Sequence, residues 1–248
     1  MMFERSSRWD LDPAASITPQ ITRILRERII QNDLKPGDRI SESELARHYA
    51  VSRQPVREAF IKLADQGLLE VRPQRGTLVT PIGYFAVLDA RFLREAMEAD
   101  IAKIVAAEAD PATVAELRQQ LDRQNAVDRE APEGFFDLDD LFHRTLAEAA
   151  GKAGAWTQIE GLKSQMDRVR YLSLGEFRID KLIAQHRAIV DRIEARDVPG
   201  TDTRIRYHLR EVLQDLPQII DANRPFFDLP DGEMPPPVNA PIQGERNP

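Results

Sequence analysis

The chain of 248 residues has only four histidines, and three of them fall in apolar helical stripes. His186 shares a helical face with Leu182, Ile189 and Ile193, and His208 lies among Ile205, Val212 and Ile219. His143 has Asp139 one turn before it, and the pair borders the face made by Phe135, Leu138, Phe142 and Leu146. Residues i and i+4 of a helix project the same way, so Asp139 and His143 can share one metal ion. An imidazole taken out of water without a partner is costly. Three imidazoles and a carboxylate suit a divalent transition ion, zinc first, with nickel or manganese as alternatives. The residue pattern by itself supports separate hydrogen-bonded core histidines equally well. His48 reads as a surface or packing residue.

A second constellation lies between Ser52 and Leu63. Ser52 stands where an N-cap belongs, and Pro55 falls at the third helical position, where its missing N–H costs nothing. Val56, Ala59, Phe60 and Leu63 make one face apolar, while Arg53 and Arg57 start the opposite face one turn apart. A short helix with a buried face and two arginines at its N-terminus suits a DNA major groove. Upstream, Ser41-Glu-Ser-Glu44 is a capping box opening a short helix, and Ala50-Val51 gives helix–turn–helix spacing. Downstream, Gly67 ends the helix, and Leu68 to Val71 and Thr77 to Val79 read as strands around Arg72-Pro-Gln-Arg-Gly76. The expectation is a winged helix–turn–helix with a basic wing.

The elements that position these groups divide the chain in two. The net charge of −7 conflicts with DNA binding only until it is divided. Residues 1–81 carry 13 Lys+Arg against 11 Asp+Glu, and the remainder carries 21 against 30. The phosphate-facing part keeps a positive balance. There is no cysteine, which excludes disulfides and thiolate metal sites. No apolar run is long enough to span a bilayer, and Met1 to Pro19 lacks the apolar core of a signal peptide, so a cytoplasmic protein is expected.

Residues 1–16 show no period and read as a flexible arm. Thr18-Pro19 caps a first helix with Ile21, Ile24, Leu25 and Ile29 on one face. After Pro81 the strand signals stop. A long helix is expected over 82–109, with Phe85, Leu88, Phe92 and Ala96 on one apolar face and Val87, Ile101 and Val105 on the other. Asp110-Pro111 starts the next helix, and others read at about 134–150, 155–174, 179–195 and 199–221. The expected architecture is mainly α. Its parts are a winged helix–turn–helix over 1–81, an all-α bundle over 82–224 and a disordered tail over 225–248, where 7 of 24 residues are proline.

The first part resembles the GntR superfamily of bacterial transcription regulators, through Leu45-Ala46, Val51-Ser52-Arg53, Pro55-Val56-Arg57-Glu58-Ala59, Leu63-Ala64, Gly67-Leu68 and Arg75-Gly76. The second resembles the FCD ligand-binding domain of the FadR-like branch, through Asp139-x-x-x-His143, Gln185-His186, His208-Leu209, Arg94-Glu-Ala-Met-Glu98 and Ala106-Ala107. The resemblance implies a metal held by Asp139, His143, His186 and His208, with a small carboxylate effector at or near it. One departure stands out: fatty-acid-responsive members carry an arginine where this chain has Ser43, which implies fewer phosphate contacts there. Arg94 shares a face with Ile101 and Val105, and either pairs with Glu98 or meets the effector carboxylate through a bidentate fork. Arg170, near Ile159, Met166 and Val169, is a second candidate of that kind.

These readings converge on a homodimeric repressor that binds a palindromic double-stranded operator and is released by its effector. Ser52, Arg53, Gln54 and Arg57 are the candidates for the groove, with Arg72, Arg75 and Gly76 for the wing. The rival is a metalloenzyme using the Asp/His cluster on a carboxylate substrate, although no further acid stands in an obvious position as a base.

Overall fold

The computed structural model describes residues 9–72, 76–129, 132–173 and 179–239. Its N-terminal part runs α1 (Ile17–Ile30), β1 (Arg39–Ile40), α2 (Glu42–His48), α3 (Arg53–Asp65), β2 (Leu69–Arg72) and β3 (Gly76–Val79). The Ser41 hydroxyl accepts the Glu44 N–H at 3.4 Å, as the capping box requires. Gly67, at φ +68°, closes α3 in a Schellman turn, with its N–H on the Ala64 carbonyl and the Leu68 N–H on that of Leu63. Strands β2 and β3 pair antiparallel with Arg72 opposite Gly76, and β1 adds a third strand against β3. Leu25, Ile29, Leu45, Val56, Phe60 and Leu63 are buried in one apolar core beneath this sheet. Each such side chain contributes about 1.5–3 kcal/mol of transfer free energy.

Several expectations need correction. Helix α1 starts at Ile17 with Ser16 at its N-cap, so Thr18 lies inside the first turn, where its hydroxyl donates to Glu58 at 3.0 Å. Ser52 occupies the N-cap of α3 with extended backbone angles, but its hydroxyl makes no capping hydrogen bond. The arm is not loose throughout. Gln20 binds the Asp12 N–H and carbonyl at 2.7 and 2.9 Å, and Leu11 packs on the winged-helix core.

The bundle follows as α4 (Tyr84–Glu108), α5 (Pro111–Asn125), α6 (Glu133–Ala149), α7 (Ala153–Leu162), α8 (Ser164–Leu172), α9 (Ile179–Glu194), α10 (Val198–Leu209) and α11 (Glu211–Ala222). Asp110 caps α5 by accepting the Thr113 N–H at 2.9 Å. The single helix expected at 155–174 is two, broken at Lys163, whose ammonium turns inward between Asp140 and Asp167 at 2.7 Å from each. The one expected at 199–221 is broken at Arg210, whose guanidinium reaches Glu95. Only one of the two apolar faces of α4 is covered. Val87, Ile101 and Val105 are buried, whereas Phe85 and Phe92 are 52% and 47% exposed.

Strand signals do not stop at Pro81, nor is the chain beyond 225 unstructured up to residue 239. Ile82–Gly83 is a short strand, β4, paired in parallel with β5 (Phe227–Asp228). Proline bars regular helix there but not packing, and Phe226, Phe227, Leu229 and Met234 between the prolines bury against Ile82, Tyr84 and Val87. The two domains also meet directly. Arg26 donates to the Ser164 hydroxyl at 3.1 and 3.0 Å, Gln165 to the Gly67 carbonyl at 3.0 Å and Arg168 to the Thr80 carbonyl at 2.9 Å.

Candidate metal centre and nucleic-acid interface

Three helices aim side chains at one point inside the bundle. Helix α6 supplies Asp139 and His143 from consecutive turns, α9 supplies His186 and α10 supplies His208, and all four are buried. His208 Nε2 lies 3.2 Å from the Nε2 of both His143 and His186, and His186 Nε2 lies 3.4 Å from Asp139 Oδ1. The structure therefore brings together all four residues singled out in the sequence.

The Nδ1 atoms of His186 and His208 fix the tautomers of those two rings. His143 Nδ1 lies 2.5 Å from Glu98 Oε2, and a carboxylate can only accept. His186 Nδ1 faces Gln124 Oε1 and His208 Nδ1 faces Gln185 Oε1, each at 2.9 Å. Both amides are fixed the same way round by their own NH2 groups. Gln124 donates to the Leu138 carbonyl at 3.2 Å, and Gln185 donates to Glu211 at 2.8 Å. His186 and His208 thus carry the hydrogen on Nδ1 and present a bare Nε2 lone pair to the centre, and His143 turns its Nε2 to the same point. Lone pairs 3.2 Å apart in a buried site repel unless a cation lies between them. That spacing is what two metal–imidazole bonds of about 2.1 Å leave between their nitrogens. The donor set fits a divalent ion.

Protonation of His186 or His208 does not relieve the repulsion. Burial, only partly offset by Asp139, pushes His186 down to about 3, and burial with the neighbouring imidazoles holds His208 well below the usual histidine range. Burial alone would raise Asp139, but Arg170 and the imidazoles hold it well below the ordinary carboxylate value. Its Oδ2 accepts from Arg170 Nη2 at 2.7 Å, while Oδ1 has no donor and faces the histidines. Phe142 stacks on the His186 ring at 4.3 Å and closes that side.

A cavity of about 60 Å³ borders the cluster, with Asp139 and His208 on one wall and Met166, Val169 and Ile219 on another. Arg94 and Arg170 both line it. Of the two alternatives for Arg94, the structure contains the pairing with Glu98. The Arg94 Nε donates to Glu98 Oε1 at 2.6 Å, and the same side chain borders the cavity. Burial would lower both guanidinium values, but the carboxylates beside them raise both. Glu98 links Arg94 to His143, and Asp139 links Arg170 to the cluster. Glu98, Gln124 and Gln185 were not read from the sequence as ring supports. Gln124 did carry a signal, as an amide one turn beyond Leu121 and two beyond Leu117 on the buried stripe of α5.

The winged helix places its candidates differently. Ser52, Arg53, Gln54 and Arg57 share the exposed side of α3, opposite buried Val56, Ala59, Phe60 and Leu63. Arg53 makes a 3.3 Å contact with Glu42, and Gln54 donates to Glu58 at 3.0 Å. Arg72 is exposed on the wing, 2.9 Å from Glu70, and Arg75 lies outside the described residues. Gly76 adopts φ +83°, and a Cβ there would come within 2.8 Å of Arg39 Nε. Arg39, which sequence reasoning missed, adds an exposed guanidinium beside the wing.

Comparison with known proteins accounts for both regions. Residues 17–79 match the family described as bacterial regulatory proteins, gntR family, and residues 89–211 match the FCD domain. The chain is 38% identical over 219 residues to the HTH-type transcriptional repressor RspR of Escherichia coli K12, covering 88% of this chain and 96% of that one. It is 42% identical over 196 residues to an HTH-type transcriptional regulator in an unstable DNA locus of Streptomyces ambofaciens, covering 79% and 83%. A crystal structure of a GntR transcriptional regulator from Rhodococcus sp. RHA1 superimposes with a TM-score of 0.63 at 26% identity, covering 85% and 100%.

Proposed function

As a member of the GntR family with an FCD domain, the chain is a DNA-binding transcriptional regulator, and we propose that it is a repressor released by a small carboxylate bound beside a metal ion. The observation that carries this reading is the convergence of three Nε2 atoms and one donorless carboxylate oxygen on a single buried point. Asp139, His143, His186 and His208 would hold the ion, and zinc suits three imidazoles and a carboxylate best. Bound there, the ion supplies a fixed positive charge beside the cavity. Glu98, Gln124 and Gln185 orient the rings through their Nδ1–H groups, as supports of metal-bound histidines do.

Arg94 and Arg170 are the groups that would receive a carboxylate. Each is already anchored by acids, Arg94 by Glu98 and Arg170 by Asp139 with Asp167 at 3.9 Å, so the guanidinium is preorganised beside the apolar Met166, Val169 and Ile219 side chains. On the DNA side, Ser52, Arg53, Gln54 and Arg57 would enter the major groove. Arg72, Arg75 and Gly76, with Arg39, would meet the backbone. The uncovered face of α4, with Phe85, Phe92 and Leu93, would bury against a second copy, and a two-fold dimer would read a palindromic operator. The metalloenzyme alternative fails because the family and the relatives are transcription regulators, not enzymes.

Native mass spectrometry of protein as purified, compared with Arg94→Met, tests the effector claim. The wild type should carry a small organic acid, and the variant should lose it while keeping the metal. An acid retained equally by the variant would leave Arg94 as only the structural partner of Glu98.

A further inference from the structure

The two domains are joined by very little chain. Between the last residue of β3, Val79, and the first of α4, Tyr84, there are four residues, Thr80-Pro-Ile-Gly83. Two of those four are β4, and β4 pairs with a strand from the far end of the protein. Ile82 lies opposite Phe227 and Gly83 opposite Asp228. A two-residue parallel ladder is weak by itself, and here it is reinforced on both sides. Phe227 is buried with Ile82, Tyr84, Val87 and Ala90, and Phe226, Leu229 and Met234 pack on the same cluster. Beyond β5 the chain continues along the start of α4, where the Tyr84 hydroxyl donates to the Pro235 carbonyl at 2.8 Å.

The same segment is the covalent continuation of α11. Helix α11 lines the cavity through Val212 and Ile219, and Ile219 belongs to the cluster that Phe227 closes. Met166 and Val169 of α8 also serve both cavity and cluster. Neither partner in the ladder falls within a family match, since those end at 79 and resume at 89, then end at 211. The arrangement is therefore a feature of this chain beyond what the family descriptions cover.

We propose that residues 224–239 form a strap that clamps the interdomain linker and fixes the placement of the DNA-binding domain on the bundle. Phe227, Leu229 and Tyr84 are its positioning residues. Removing the strap leaves Ile82 and Gly83 with no ladder partner and opens the apolar cluster beneath them. Among the described residues, the packing of α1 on α8 and the hydrogen bonds from Arg26, Gln165 and Arg168 would still join the domains.

The natural chain has no cysteine, so a pair of spin labels can be placed without background. Exposed Lys62 on α3 and exposed Lys152 beside α7, each changed to Cys, report the distance between domains. Labelled protein is diluted into unlabelled protein so that only pairs within one chain are counted. The full chain should give one narrow distance. A chain ending at Asn223 should lose it to a broad distribution, as should Phe227→Ser combined with Leu229→Ser, which leaves α11 intact. Circular dichroism identifies any variant that has lost its helices, and the double substitution decides the matter if the truncated chain does not fold. A narrow distance kept in the folded variants overturns the proposal.

Discussion

The winged helix and the helical bundle put their charges in opposite places. In the winged helix the buried residues described are apolar apart from Thr77, and Arg53, Arg57 and Arg72 stand outside, with half-buried Glu42 beside Arg53 and exposed Glu70 beside Arg72. In the bundle Arg94, Glu98, Asp139 and Arg170 are inside, each tied to another, with three histidines between them. The difference follows from what each domain must reach. A phosphate backbone is met on the surface, where a weak exposed ion pair yields to it at little cost. A small ligand is met inside, where a charge is useful only if it is held and fully partnered beforehand. Binding and stability should therefore separate in one domain and stay linked in the other.

The contrast is broken most forcefully at Asp139. Asp139→Ala would take from buried Arg170 its 2.7 Å carboxylate and leave it the more distant Asp167 at 3.9 Å, and removing one partner of a buried pair costs up to about 3–5 kcal/mol. Urea denaturation should show that loss in the bundle. Equal midpoints for variant and wild type would mean that the interior charges are not interdependent. Arg57→Ala should act the other way, weakening operator binding by about 1–3 kcal/mol with no change in melting temperature. Fluorescence anisotropy at physiological salt checks it, and unchanged affinity would remove Arg57 from the interface. The smallest effect is expected at Ser52. Its hydroxyl makes no cap bond, so Ser52→Ala should cost the fold less than about 0.5 kcal/mol. A loss near the 1 kcal/mol typical of an N-cap would show that the capping bond forms in solution.

How much could be read from the sequence also differs between the domains. The winged helix was legible because its signals are local. Capping box, apolar period and closing glycine each act within one or two turns, and only β1 escaped, since Arg39-Ile40 is too short to show a period. The four cluster residues were legible because polar groups on apolar stripes stand out. Their supports were not, because Glu98 already had Arg94 as a nearer partner. Gln124 and Gln185 act across helices, where spacing along the chain says nothing of contact. The breaks at Lys163 and Arg210 coincide with ion pairs to Asp140 and Glu95 on other helices, which spacing along the chain does not show either. The 225–239 segment was misread because proline count measures the loss of helix, whereas the apolar residues between the prolines decide packing.

At the centre of the account, three imidazoles offer their Nε2 atoms with Asp139 to a single ion. Its most direct test is metal content after chelation and re-addition of zinc, measured on wild type and on His186→Ala and accompanied by thermal melts. The wild type should regain one ion per chain and a higher melting temperature, the gain being about 2.7 kcal/mol when free zinc is a hundred times its dissociation constant. His186→Ala should regain neither. If the two proteins hold the same amount of zinc and melt with the same shift, the four side chains do not form a metal centre.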